Sequence, residues 1–262
     1  MDNLLTFKDW KNINDLILQM NYENDILKAL NLFLIGIDRI VPYEKASIYF
    51  YTLSKDRLNV DKCIDQGFGK KELEVYDDYY CRIDDIIDKM LPTKLTTVRS
   101  SDIFNLKQRK QTEYYHDYVR PVRTCFSLDA NFKWNKNDKE TNFGSLDLFR
   151  PEKERDFTDR ELEICKILQP HLETKASQYV FSFVDSLEKI LLKYSFTKTE
   201  NEVARLLLRG YTNEQIAKEK FITVSTVKKH VTGILEKSKS GSRIEFICKI
   251  NFNEKDTRRS TV

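Results

Sequence analysis

Three capping boxes fall between residues 197 and 245 of this 262-residue chain. In each, a Ser or Thr stands three positions before a Glu or Gln, so that the two residues satisfy each other's backbone amides and a helix begins. Thr197-x-x-Glu200 opens a first helix ending at Gly210, and Thr212-x-x-Gln215 opens a second, with Ile216 and Ala217 facing a core. Ser242-x-x-Glu245 opens a fourth helix over Arg243–Ile250. Between them Phe221-Ile222 makes a tight turn, and Thr223 caps a third helix from Val224 to about Lys237. A short helix, a turn of three to four residues and a longer basic helix form the helix-turn-helix arrangement.

The third helix has two faces. Val227, Val231, Ile234 and Leu235 recur on a stripe suited to a core, while Ser225, Thr226, Lys228, Lys229 and His230 occupy its first turns. A helix N-terminus flanked by hydroxyls and lysines suits phosphate, and such side chains reach base edges in a major groove. Charge points the same way. Residues 194–262 hold 14 Lys/Arg and 8 Asp/Glu, a net of +6, whereas residues 1–193 hold 30 and 33, a net of −3. The total of +3 therefore conceals a basic C-terminal piece. Residues 223–239 carry Lys228, Lys229, Lys237 and Lys239 against Glu236 alone.

Phe196-Thr197-Lys198-Thr199-Glu200, Gly210-Tyr211-Thr212-Asn213-Glu214-Gln215-Ile216-Ala217 and Thr226-Val227-Lys228-Lys229-His230 resemble the LuxR-type helix-turn-helix of bacterial transcription regulators, in register and without gaps. The resemblance spans about 196–249 and implies a DNA-binding unit with no catalytic residues. It makes Ser225 and Lys229 candidates for base contacts, and Thr226, Lys228, His230 and Asn213 candidates for phosphate contacts, with Thr223 at the cap. It also implies dimerisation on DNA through the fourth helix. Two departures bear on that helix: Ser238-Lys239-Ser240 stands where the family commonly has Leu-Gly-Val, and Lys220 replaces a usual apolar residue.

The first part of the chain alternates helical and strand patterns. Apolar positions from Ile26 to Val41 mark a helix stopped by Pro42; Ala46–Tyr51 and Leu58–Ile64 read as strands around a turn at Ser54–Arg57. Lys70–Met90 reads as helical with a break near Cys81–Ile83, and a further helix runs from Leu106 to Val119, ending at Pro121. Thr124–Lys133 and Asn142–Arg150 are two more strands around Asn135–Asp138. Thr158-x-x-Glu161, stapled by Phe157 and Leu162, starts a helix whose pattern passes Pro170, where it kinks or splits. The expected architecture is an α+β domain with an antiparallel sheet and flanking helices (1–171), a helical linker (172–193) and an all-α four-helix domain (194–262).

Residues 21–175 resemble GAF-type sensor domains in element order and in Tyr76-Asp77-Asp78-Tyr79-Tyr80 and Gly144-Ser145-Leu146-Asp147-Leu148-Phe149. They are also similar to autoinducer-binding domains. Either resemblance implies a domain that senses a small molecule or a partner; the density of aromatics makes Tyr76, Tyr80, Asp84, Tyr115 and Trp134 candidate ligand-binding residues, with Asp84 or Arg120 as polar anchors. The alternative is a ligand-free interaction or dimerisation module, in which the aromatics are core. Asp77-Asp78 and Asp84-Asp85 are sequence neighbours that do not face each other on a helix, so no catalytic carboxylate pair is expected.

No stretch free of Asp, Glu, Lys and Arg exceeds nine residues, too short to span a bilayer, and the N-terminus lacks the pattern of a signal peptide. Five widely spaced cysteines without C-x-x-C read as reduced thiols of a cytoplasmic protein, with Cys81 and Cys125 buried and inert. His116, His171 and His230 show no metal-ligand spacing, and no glycine-rich phosphate loop is present. The expectation is a non-enzymatic regulator without metal or cofactor, binding double-stranded DNA as a homodimer.

Overall fold

The computed structural model describes residues 4–54, 57–86, 96–136 and 139–250. The chain divides into two compact units, Met1–Tyr179 and Val180–Val262.

The first unit opens with α1 (Phe7–Tyr22) and α2 (Ile26–Ile37), followed by β1 (Lys45–Ser54), β2 (Arg57–Gln66) and α3 (Lys70–Asp78). After β3 (Thr97–Arg99), short turns of helix lead to β4 (Phe126–Lys136) and β5 (Lys139–Arg150). The five strands form one antiparallel sheet in the order β2-β1-β5-β4-β3. The α+β expectation therefore holds; three of the sequence-read strands lie inside longer ones, and the fourth, Thr124–Lys133, begins two residues before β4. Thr6 and Asp9 form a capping box that starts α1, a helix the apolar pattern did not reveal.

Two expectations turn on prolines: the first needs correction, and of the two alternatives at Pro170 the split is excluded. The segment from Leu106 is not one helix ending at Pro121: it breaks into Leu106–Arg109, a π-helical turn at Tyr115–Val119, and a last turn, Arg120–Val122, that contains Pro121 near its start. The π-helical turn directly before Pro121 is the kind of irregularity that accommodates the missing N–H within a continuous helical run. Pro170 does not split its helix, since α4 runs from Asp159 to Leu192 with Pro170 inside. Of the expected helix at 70–90, α3 ends at Asp78 and a 3-10 turn follows at Tyr80–Arg82; its last residues, 87–90, lie outside the described residues, as do 55–56 and 137–138 of the two expected turns.

Strand alternation builds two faces. Ala46, Ile48 and Phe50 of β1, Leu128, Ala130 and Phe132 of β4, and Leu146 and Leu148 of β5 are all buried. This face packs against helices: α2 contacts β1 and β2, and the Phe50 ring lies 4.7 Å from that of Tyr179. At Gly144 a Cβ would stand 2.5 Å from the Tyr49 carbonyl oxygen, so only glycine lets β5 approach β1 there. The other face carries Ser47, Ser127, Asp129, Asn131 and Ser145, which are also buried.

The start of α4 is tied to the end of β5 by a buried ion pair. The Arg150 guanidinium donates to both carboxylate oxygens of Glu161, at 2.8 and 3.2 Å, and to the Pro42 carbonyl at 2.6 Å. Its plane lies 4.1 Å from the Phe157 ring. Burial opposes ionisation of Glu161, but the Arg150 bonds, with the Thr158 cap, hold its carboxyl below the usual range. Removing one partner strands the other charge in a dry site. Arg150→Met should therefore cost about 3–5 kcal/mol in chemical denaturation, and Arg150→Met/Glu161→Leu less than the two single losses added. Additive losses would show that the two side chains act independently.

Candidate nucleic-acid interface and ligand cavity

The second unit contains α5 (Lys198–Leu208), α6 (Asn213–Lys220), α7 (Val224–Ser238) and a helix, α8, over 243–250. Val203, Ala204, Leu207, Ile216, Val227, Ile234 and Phe246 form its buried core. The capping boxes at Thr197 and Thr212 form as expected. At Ser242 only half of the box forms: its hydroxyl accepts from the Glu245 amide, but Glu245 turns to the Gly241 amide at 2.8 Å.

Several cations of this unit are used up internally. Lys237 binds Glu200 at 2.6 Å, Lys220 pairs with Glu202, and Arg243 donates to the Tyr211 carbonyl. Glu200 also caps α5 and touches Gly233 of α7, where a Cβ would stand 2.7 Å from its carboxylate. Lys237 is thus spoken for, and of the four lysines in 223–239 Lys228, Lys229 and Lys239 stay exposed, the first two in the first turns of α7. Lys228 and Lys229 are exposed there and form no salt bridge among the described residues. Ser225 is exposed beside them, and Thr226 and His230 are half-buried. Thr223 caps α7, its hydroxyl accepting from the Thr226 amide at 3.1 Å. Asn213 begins α6 and its buried Oδ1 has no partner among the described residues.

The Ser238-Lys239-Ser240 departure is accommodated by polar bonds. Ser238 and Ser240 are buried and share a hydroxyl contact of 3.1 Å, Lys239 takes a left-handed conformation (φ 52°), and Lys249 of α8 donates to the Ser238 carbonyl at 2.6 Å. Another left-handed residue, Phe221 (φ 55°), makes the turn between α6 and α7.

The first unit holds a cavity of about 80 Å³ on the polar face of the sheet, beneath α3 and the helical turns near Tyr115–Val119. Its floor is Asp129 and Asn131 of β4 with Ser145 and Asp147 of β5; Tyr76, Tyr114 and Tyr118 stand in its wall with Asp84 and Arg109. Asp129 and Asp147 are directly opposite in register. Ser127 donates to Asp129 at 2.6 Å and Ser145 to Asp147 at 2.9 Å. The Tyr76 and Tyr114 hydroxyls both donate to Asp84 Oδ2 at 2.8 Å. Arg109 is held by Asp85 at 3.1 Å and by the Cys125 carbonyl at 3.3 Å.

Of the residues read from the sequence as ligand candidates, Tyr76 and Asp84 line this cavity. Tyr80, Tyr115 and Trp134 do not: Tyr80 packs on Tyr118, Tyr115 binds Glu152 at 2.9 Å and approaches Cys125 at 3.4 Å, and the Trp134 ring lies 5.4 Å from that of Phe143. Arg120 is exposed. The opposed Asp129–Asp147 pair escaped sequence reading because its members are 18 positions apart and sit on strand positions that normally face water. The one available signal was a polar strand face made of Ser and Asp without Lys or Glu. Cys81 and Cys125 are buried, and burial pushes the Cys125 thiol up. Among the described residues no group of three or more His, Cys, Asp or Glu is placed to hold a metal ion, and no helix is long and apolar enough to cross a membrane.

Residues 194–250 match the family model described as "Bacterial regulatory proteins, luxR family", and this segment belongs to that family. LiaR of Bacillus subtilis, a transcriptional regulatory protein, is 44% identical over 70 residues, 26% of this chain and 33% of its own length. VraR of Staphylococcus aureus, a response regulator, is 39% identical over 51 residues, 20% of this chain and 24% of its own. The chain thus spans about a third or less of these relatives. CepR2 of Burkholderia cenocepacia, an N-acylhomoserine lactone dependent LuxR family transcription factor, superposes with a TM-score of 0.51 at 13% identity, over 68% of this chain and 97% of its own. That likeness establishes a shared fold.

Burial, opposed by the Ser145 bond and joined by the charge of Asp84, pushes the Asp147 carboxyl from an ordinary 3.8 to about 7. The folded chain therefore keeps a proton that the unfolded chain releases, and stability falls as pH rises from about 4 to about 7. Asp147→Asn removes this group's share of the titration without changing its shape, leaving that of Asp129. We expect it to raise the thermal midpoint at pH 7 by a few degrees and to flatten the decline between pH 4 and 7; an unchanged slope would place the titration elsewhere.

Proposed function

We propose that this protein is a sequence-specific DNA-binding transcription regulator of the bacterial cytoplasm, acting as a homodimer, whose first unit senses a small molecule. The observation that carries the DNA-binding part is the exposed pair of lysines in the second turn of α7. Lys228 and Lys229 stand exposed beside a Thr-capped helix N-terminus, while the neighbouring Lys220 and Lys237 are neutralised internally. A helix terminus with its dipole, hydroxyls and two uncommitted ammonium groups suits a phosphate backbone beside a major groove. Lys228, Thr226, His230 and Asn213 serve as phosphate contacts and Ser225 and Lys229 as base contacts. Two such helices in a dimer read half-sites about 34–36 Å apart. No catalytic step is assigned.

For the first unit, the cavity favours sensing over a ligand-free module. A purely structural domain would fill that space with side chains, as close packing is the rule in protein interiors. Effector binding would bias dimerisation or DNA binding through α4.

The test is a salt titration of the full chain on its operator and on unrelated DNA. Lys228→Ala should weaken both and lower the slope of log affinity against log salt by about one. Lys229→Ala should change the ranking of operator variants, with about 1–3 kcal/mol of discrimination lost at one base pair. A salt slope unaltered by Lys228→Ala would remove the phosphate contact, and wild-type ranking in Lys229→Ala would remove the base contact.

A further inference from the structure

We infer that the cavity ligand is a small organic amine, its ammonium seated between Asp129, Asp147 and Asp84 and a hydrogen-bond acceptor on its body facing Asn131. The inference rests on the sensing role proposed above and narrows it to a chemical class.

Charge is the first ground. Three carboxylates line one small cavity, against a single guanidinium that Asp85 already engages. Asp129 and Asp147 meet directly across two strands, an arrangement that like charges disfavour unless a cation or a proton lies between them. Burial raises both acids, so the empty site holds a proton there, which an incoming ammonium replaces and releases to solvent.

The second ground is independent of the acids. Asn131 is buried on the same floor, its carbonyl accepts from Gln169 at 2.8 Å, and its side-chain Nδ2 has no partner among the described residues. A buried donor without a partner costs about 1–3 kcal/mol, and an acceptor on the ligand relieves it. Third, the aromatic wall suits an organic cation over a metal. The rings of Tyr76, Tyr114 and Tyr118 give the wall apolar area for the body of an alkylammonium, and no metal-holding group exists among the described residues. At about 80 Å³ the cavity has room for roughly six water-sized groups.

The experiment uses the full chain with four probes of nearly equal size: methoxyethylamine, butylamine, butanol and butyrate. Saturation-transfer NMR reads binding and the thermal midpoint reads stabilisation. Both amines should bind and stabilise, methoxyethylamine the more strongly, while butanol and butyrate should bind at least tenfold more weakly. Asp129→Asn and Asp147→Asn should each reduce amine binding by tenfold or more, with the circular dichroism spectrum unchanged. Asn131→Ala should erase the advantage of methoxyethylamine over butylamine. Equal binding of butanol or butyrate would overturn the amine assignment while leaving a sensing domain in place. No response to either amine would overturn it too; a broader screen in which no compound stabilises the chain would then sink the sensing role itself.

Discussion

Both faces of the five-stranded sheet are covered, and much of the first unit follows from that. On one face Ala46, Ile48, Phe50, Leu128, Ala130, Leu146 and Leu148 pack in the ordinary way, apolar against helices. On the other, a tyrosine-rich layer closes over positions whose alternation had left them polar. Those side chains cannot reach bulk water, so each needs an internal partner. Ser127 serves Asp129, Ser145 serves Asp147, and Tyr76 and Tyr114 serve Asp84. The Asn131 amide group, with a free donor, is where this internal supply runs short.

That shortage links stability to function. A close-packed domain would have replaced the opposed Asp129 and Asp147 by apolar residues, which on a covered sheet face cost nothing in solvation. Keeping them costs stability that rises with pH, and a ligand able to complete their bonding would recover it. Buried polar groups left short of partners are a common mark of sites that wait for another molecule. In the second unit the same accounting runs in the opposite sense. Glu200, Glu202 and the Tyr211 carbonyl absorb Lys237, Lys220 and Arg243, while the two lysines near the start of α7 form no salt bridge among the described residues.

The helix-turn-helix was legible almost residue by residue. Its signals are local: a hydroxyl three positions before a carboxylate or amide side chain, a left-handed or glycine residue at a helix end, an apolar stripe of period 3.6. The structure altered details that depend on distant partners, such as Glu245 turning to Gly241 and Lys237 finding Glu200 from 37 positions away. The ligand cavity was legible only in part. Tyr76 and Asp84, from one helix-rich stretch dense in aromatics, line the cavity; Tyr115 and Trp134 share that composition but do not line it.

By itself the sequence determined where helices begin, which strand positions share a face, and which segment carries the cationic motif, because capping, period and charge act over a few residues. Only the tertiary structure decided that the polar face of β4 and β5 is roofed by tyrosines, that Asp129 and Asp147 oppose each other, and that Lys228 and Lys229 remain uncommitted. The reason is physical. Alternation tells which side chains share a face, but burial and ion pairing depend on what covers that face, and the covering tyrosines come from other elements, 11 to 71 positions from Asp129 and Asp147 in the chain.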